Sequence, residues 1–81
     1  MSRKIKLIWD FHGEIAYKTA QHHEIHLKEY ILNKNLEINI TGFEIKNNLH
    51  AIAFMVVDDD SMIAVRDSLK PHRGVLFNEN S

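Results

Sequence analysis

Residues 49–57, LHAIAFMVV, constrain the fold more than any other stretch of this sequence. Side chains of a strand alternate between its two faces. Read that way, His50, Ile52, Phe54 and Val56 share one side, and Leu49, Ala51, Ala53, Met55 and Val57 share the other. A strand apolar on both faces belongs in the middle of a sheet that is covered on both sides. The chain has 81 residues, enough for one domain, and a domain of that size buries only about 60% of the surface its unfolded chain exposes. The cover for this strand must come from a small stock of elements or from a second chain.

The rest of the sequence supplies those elements. Residues 4–11 alternate, with Ile5, Leu7, Trp9 and Phe11 on one face and Lys4, Lys6, Ile8 and Asp10 on the other, which predicts a strand ended by His12-Gly13. Residues 14–35 predict one long helix. Glu14 suits its positive end, Lys34 its negative end, and Asn35 a left-handed cap. At 100° per residue, Ala16, Ala20, His23, Leu27, Tyr30 and Ile31 form the inward stripe, while Ile25 and Leu32 fall on nearly the opposite face and hint at a partner contact. Residues 36–45 predict a second strand whose phase changes at Gly42, as a bulge would cause. Residues 46–48 form a turn. Asp58, Asp59, Asp60 and Ser61 open a second helix that runs to about Lys70, with Met62, Val65 and Leu69 inward and Pro71 as its stop. Residues 74–77 make a short last strand, and residues 78–81 a loose tail.

The order β-α-β-β-α-β resembles the ferredoxin-like split βαβ topology over almost the whole chain. That resemblance implies a single α+β domain over residues 1–81, with its ordered core at 3–77. It also implies a four-stranded antiparallel sheet ordered 4-1-3-2, with both helices on one face. The bare face of such a sheet would carry Ile8 and one of the two apolar sides of residues 49–57. An apolar bare face needs a cover. In this respect the chain is similar to the dimeric α+β barrels, which include muconolactone-isomerase-like and small heme- or monooxygenase-type proteins. The likeness implies a homodimer joined through the open sheet face.

Composition narrows the function. The formal charge is −1, and the lysines are interspersed with acids, whereas a nucleic-acid binder needs a basic face to neutralise phosphates. Nucleic acid is not the expected partner. No apolar run approaches the ~20 residues of a membrane span, and the opening MSRKIKLIWDF reads as a strand, not a signal peptide. Cysteine is absent, so disulfides, thiolate nucleophiles and Cys-ligated zinc are excluded; a cytoplasmic location is the expectation. No P-loop, dinucleotide fingerprint or Ser-His-Asp motif occurs.

Six histidines are the main chemical lead. The topology should bring Asp10, His12, His50, His72 and Arg73 to one end of the domain, where they could bind an anion or move a proton. Polar domain ends are common, and that bland reading stands beside the sharper one. His22 and His26 are one helical turn apart and, with Glu29, could ligate zinc or nickel; solvated surface residues are the plainer reading, and no cofactor is otherwise implied. HExxH is not matched, because position 23 is His. His23 sits in the inward stripe, either as a hydrogen-bonded core residue or as a base. The dimeric-barrel resemblance implies the latter, with Asp10 as its partner and Arg73 or His50 orienting an anionic substrate. Trp9 and Phe11 read as core, and the 58–60 acids as a cap rather than a cation site. The expected role is a small homodimeric ligand-binding or regulatory domain, with a cofactor-free isomerase or lyase and a metal binder as alternatives.

Overall fold

The computed structural model describes residues 3–77; the tail expected at 78–81 lies outside the described residues. The chain forms β1 (Lys4–His12), α1 (Ala16–Lys34), β2 (Thr41–Asn47), β3 (His50–Asp58), α2 (Asp59–Leu69) and β4 (Arg73–Leu76). The sheet is antiparallel throughout, in the order β2-β3-β1-β4. This is an α+β ferredoxin-like fold, and the doubly apolar segment is an inner strand. Both helices pack on one face of the sheet. Leu7 and Trp9 of β1 and Ala51, Ala53, Met55 and Val57 of β3 meet Ala16, Ala20, Leu27 and Ile31 of α1 and Val65 of α2 in one buried cluster. Trp9 fastens β1 to the end of α2, because its Nε1–H donates to the Leu69 carbonyl at 2.9 Å. Among the described residues, no helix is long and apolar enough to cross a membrane.

Helix ends follow local chemistry. Asp58 caps α2 by accepting from the Ser61 N–H at 2.9 Å, and Asp59 and Asp60 fill the first turn. Asn35 closes α1 in the left-handed region at φ 56°. By contrast, α1 starts at Ala16 behind Ile15, which offers no side-chain cap. Lys70 closes α2 at φ 53°, a conformation a side chain with a Cβ tolerates poorly and glycine readily. Lys70→Gly is therefore expected to raise stability by about 0.5–1 kcal/mol, read as a higher urea midpoint at unchanged m-value; a lower midpoint would refute it.

Two expectations are corrected. Residues 36–40 are not strand, although the Ile40 carbonyl accepts the Val56 N–H at 2.9 Å. Nor is Gly42 a bulge: it pairs in register with Phe54, and the register shift falls between Ile45 and Asn47. The Phe54 ring lies across Gly42, where a Cβ would stand 2.5 Å from its Cζ. Glycine provides the seat for the ring.

That seat bears on the face the helices leave bare. Ile8, Ile52 and Val56 point there, yet they are only 4%, 2% and 0% exposed in a single chain. The Phe54 ring lies over Gly42 on the same face. The Lys6 ammonium sits 4.2 Å above the Phe54 ring and reaches Glu44 at 3.9 Å. A long charged side chain can shield apolar surface with its stem while its head stays in water. The Ile8, Ile52 and Val56 side chains are buried within a single chain. Leu32, Ile45, Leu49 and Leu76 are exposed elsewhere, on the outside of α1, at the β2–β3 hairpin and on β4.

Candidate functional site

Antiparallel pairing assembles a polar cluster at one end of the bare face. Register sets His12 opposite His50 and Asp10 opposite Ile52, and on the other side of β1 it sets Arg73 opposite Ile8. Asp10, His12, His50 and Arg73 therefore project from the same face within one or two residues of each other. Arg73 grips the Asp10 carboxylate as a fork, with Nε donating to Oδ2 at 3.0 Å and Nη2 to Oδ1 at 3.1 Å. His50 Nε2 lies 2.8 Å from Oδ1; a carboxylate only accepts, so this nitrogen carries the hydrogen. The His12 ring stacks on His50, with centroids 4.5 Å apart and planes 13° from parallel. His72 joins from the side: the Asp10 backbone N–H donates to its Nδ1 at 2.8 Å, which requires a lone pair there.

The electrostatics are those of a neutralised pair with donors to spare. The Arg73 fork, helped by His50, holds the Asp10 carboxyl below the usual carboxylate range against the opposing effect of partial burial. Asp10 in turn pushes Arg73 further up. Arg73 stays half exposed, and among the described residues its Nη1 has no hydrogen-bond partner. A guanidinium fixed along one edge can present its other edge to a carboxylate or phosphate.

Arg73 and His72 also border a groove of about 470 Å³ between β4, β1 and α2. Its walls include Ile5, Leu7, Met62 and Leu76, and Arg3 and Arg66 stand on its rim. The size is that of a small-molecule pocket, and the lining mixes apolar walls with a few polar anchors, as such pockets do. Among the described residues, the Arg3 side chain is held by a 3.5 Å contact to Asp59 and Arg66 by a 3.4 Å contact to its neighbour Asp67.

The remaining histidines go elsewhere. The His23 ring lies on the helix side of the sheet, with centroids 4.9 Å from Trp9 and 5.4 Å from Phe11. Its Nε2 is buried without a hydrogen-bond partner. Burial, then the nearby His26, His72 and His22, hold its pKa below the ordinary histidine value. Asp10 is not its partner: the carboxylate faces the other side of the sheet and is taken by Arg73 and His50. On the outside of α1, His26 Nε2 and His22 Nε2 are 3.0 Å apart, while Glu29 Oε1 holds His26 Nδ1 at 3.0 Å. Glu29 thus stands behind His26 rather than beside the paired nitrogens. Among the described residues, no group of three or more His, Cys, Asp or Glu side chains is arranged to hold a metal ion.

The sequence placed Asp10, His12, His50, His72 and Arg73 together because fold order alone brings those chain ends to one place. It did not reveal the groove beside them or the Lys6–Phe54–Gly42 stack. The groove depends on how far α2 stands from β4, which no periodicity encodes. The stack had a signal, a lone glycine in a strand facing a lone aromatic, but recognising it required the register of β2 on β3. Comparisons with known protein families, with characterised proteins and with solved structures found no match.

Proposed function

We propose that this protein is a binding module for a small amphipathic anion, with its apolar body in the β4–α2 groove and its carboxylate or phosphate head at Arg73 and His72. The observation that carries the reading is that His72 and Arg73 at the edge strand β4 line the groove on the helix side, while the Arg73 guanidinium, fixed by Asp10 on the opposite face of that edge, is still half exposed. Asp10, His50 and His12 act behind Arg73 as its support. Ile5, Leu7, Met62 and Leu76 supply apolar surface, and Arg3 and Arg66 add positive charge at the rim. Binding is favoured over histidine catalysis because no carboxylate stands behind His23 and its Nε2 is enclosed.

Titration with octanoate, octanol and acetate, followed by NMR, tests this. Octanoate should shift the Met62 methyl and the Arg73 and His72 resonances saturably, acetate should bind far more weakly, and octanol should lose the Arg73 response. Losing a charge-assisted contact removes about 1.5–3 kcal/mol, so Arg73→Gln should weaken octanoate binding about tenfold or more. Equal binding of octanoate by Arg73→Gln, or shifts centred away from the groove, would overturn the assignment.

A further inference from the structure

The geometry points to a second, independent site: His22 and His26 chelate a divalent transition ion of the copper or nickel class, and Glu29 is the positioning residue behind His26. The two histidines project from successive turns of α1, and their Nε2 atoms lie 3.0 Å apart with the rings nearly perpendicular at 80°. Histidine nitrogens bind such metals at about 2.0–2.1 Å. An ion at that distance from two nitrogens 3.0 Å apart subtends roughly 90–100°. That is the angle between adjacent ligands in square-planar or octahedral coordination, which Cu(II) and Ni(II) favour, and it is narrower than zinc's tetrahedral angle. The nitrogen pair already lies within chelating distance, and the rings turn out of their hydrogen-bonded setting to aim both lone pairs at one ion.

Glu29 makes the difference between a chance pair and an oriented one. Its carboxylate accepts at 3.0 Å from His26 Nδ1, which places the hydrogen on that nitrogen and the lone pair on Nε2. A carboxylate behind a ligating imidazole fixes its tautomer and raises its basicity, and losing one typically weakens metal binding by about 10–100-fold. In the free protein, the hydrogen between the two Nε2 atoms occupies the space the ion would take, and it comes from His22. Binding replaces it: His22 either releases that proton or carries it on Nδ1 instead. With two protein ligands, water fills the other coordination positions. The site is on the outer surface of α1, apart from Arg73 and the groove, and does not rest on the anion-binding reading.

The test is titration of the full chain with Cu²⁺ and Ni²⁺ alone, by calorimetry and by EPR for copper. One equivalent of Cu²⁺ should bind with hyperfine coupling to two nitrogens, and paramagnetic broadening should centre on residues 22 and 26. His22→Ala and His26→Ala should each abolish this site. Both positions are exposed, and an unchanged circular dichroism spectrum would show that the helix is intact. Glu29→Gln should weaken binding about tenfold and keep the two-nitrogen spectrum. Binding retained in the His22→Ala, His26→Ala double variant, or broadening centred on His12 and His50, would overturn the site. An unchanged affinity in Glu29→Gln would overturn the role given to that residue.

Discussion

Replacing Gly42 with alanine will destabilise the domain by about 1–3 kcal/mol, the usual effect of forcing extra volume into a filled space. Local propensity predicts the opposite sign, since glycine inside a strand is worse than alanine by roughly 0.5–1 kcal/mol. The two effects are therefore separable. The new methyl would stand 2.5 Å from Phe54 Cζ and 2.7 Å from Cε2, so the ring must leave its seat. Its departure also removes the surface beneath the Lys6 ammonium. A domain of this length has a total stability of about 4–12 kcal/mol, so the loss is a large share and should lower Tm by roughly 10 °C. In a Phe54→Ala background the ring is gone, and Gly42→Ala should become neutral or stabilising. A penalty of the same size in both backgrounds would show that the ring is not the cause.

This local arrangement marks the limit of what the sequence could say. The alternation of residues 4–11 and 49–57 and the helical stripe from Ala16 to Ile31 are consequences of burial on one helix-covered side, and each is legible because one periodicity dominates. The cap chemistry of Asp58 and Asn35 is equally local. The bare face differs. Hydropathy showed that Ile8 and one apolar side of residues 49–57 lie there, and a second chain was the expected cover. In the structure that face carries a stack of an aromatic ring, a lysine and a glycine, Phe54 on Gly42 with Lys6 above it, and none of the three is marked by an apolar pattern. The same reason explains Asp10. Its neighbours His50 and Arg73 follow once β1 is paired with β3 and β4, but face parity, not sequence distance, decides that it serves them and not His23.

Acidification should weaken this fold through His23, and His23→Leu should remove that sensitivity. Burial holds the His23 pKa below its ordinary 6.5, and the charges of His26, His72 and His22 push the same way. The unfolded chain therefore binds a proton that the folded chain refuses. Stability rises with pH wherever the unfolded state holds more protons, so this contribution is complete above about pH 6.5 and is lost as pH falls from there towards the folded value. One proton gives a slope of at most about 1.4 kcal/mol per pH unit. Asp10 acts in the same direction but in a lower window, since its folded pKa lies below the carboxylate range. The contributions of His23, set by burial, and of Asp10, set first by Arg73, thus separate along the pH axis. Leucine at position 23 would fill the space against Trp9 and Phe11 and eliminate the unpartnered Nε2, whose burial costs about 1–3 kcal/mol when unsatisfied. Urea midpoints at pH 7.5, 6.5 and 5.5 should converge for the variant and fall for the parent, with the variant ahead by about 1 kcal/mol at neutral pH. Parallel profiles would mean that His23 is protonated equally easily in the folded and unfolded chain. That outcome would overturn the role given to the buried Nε2.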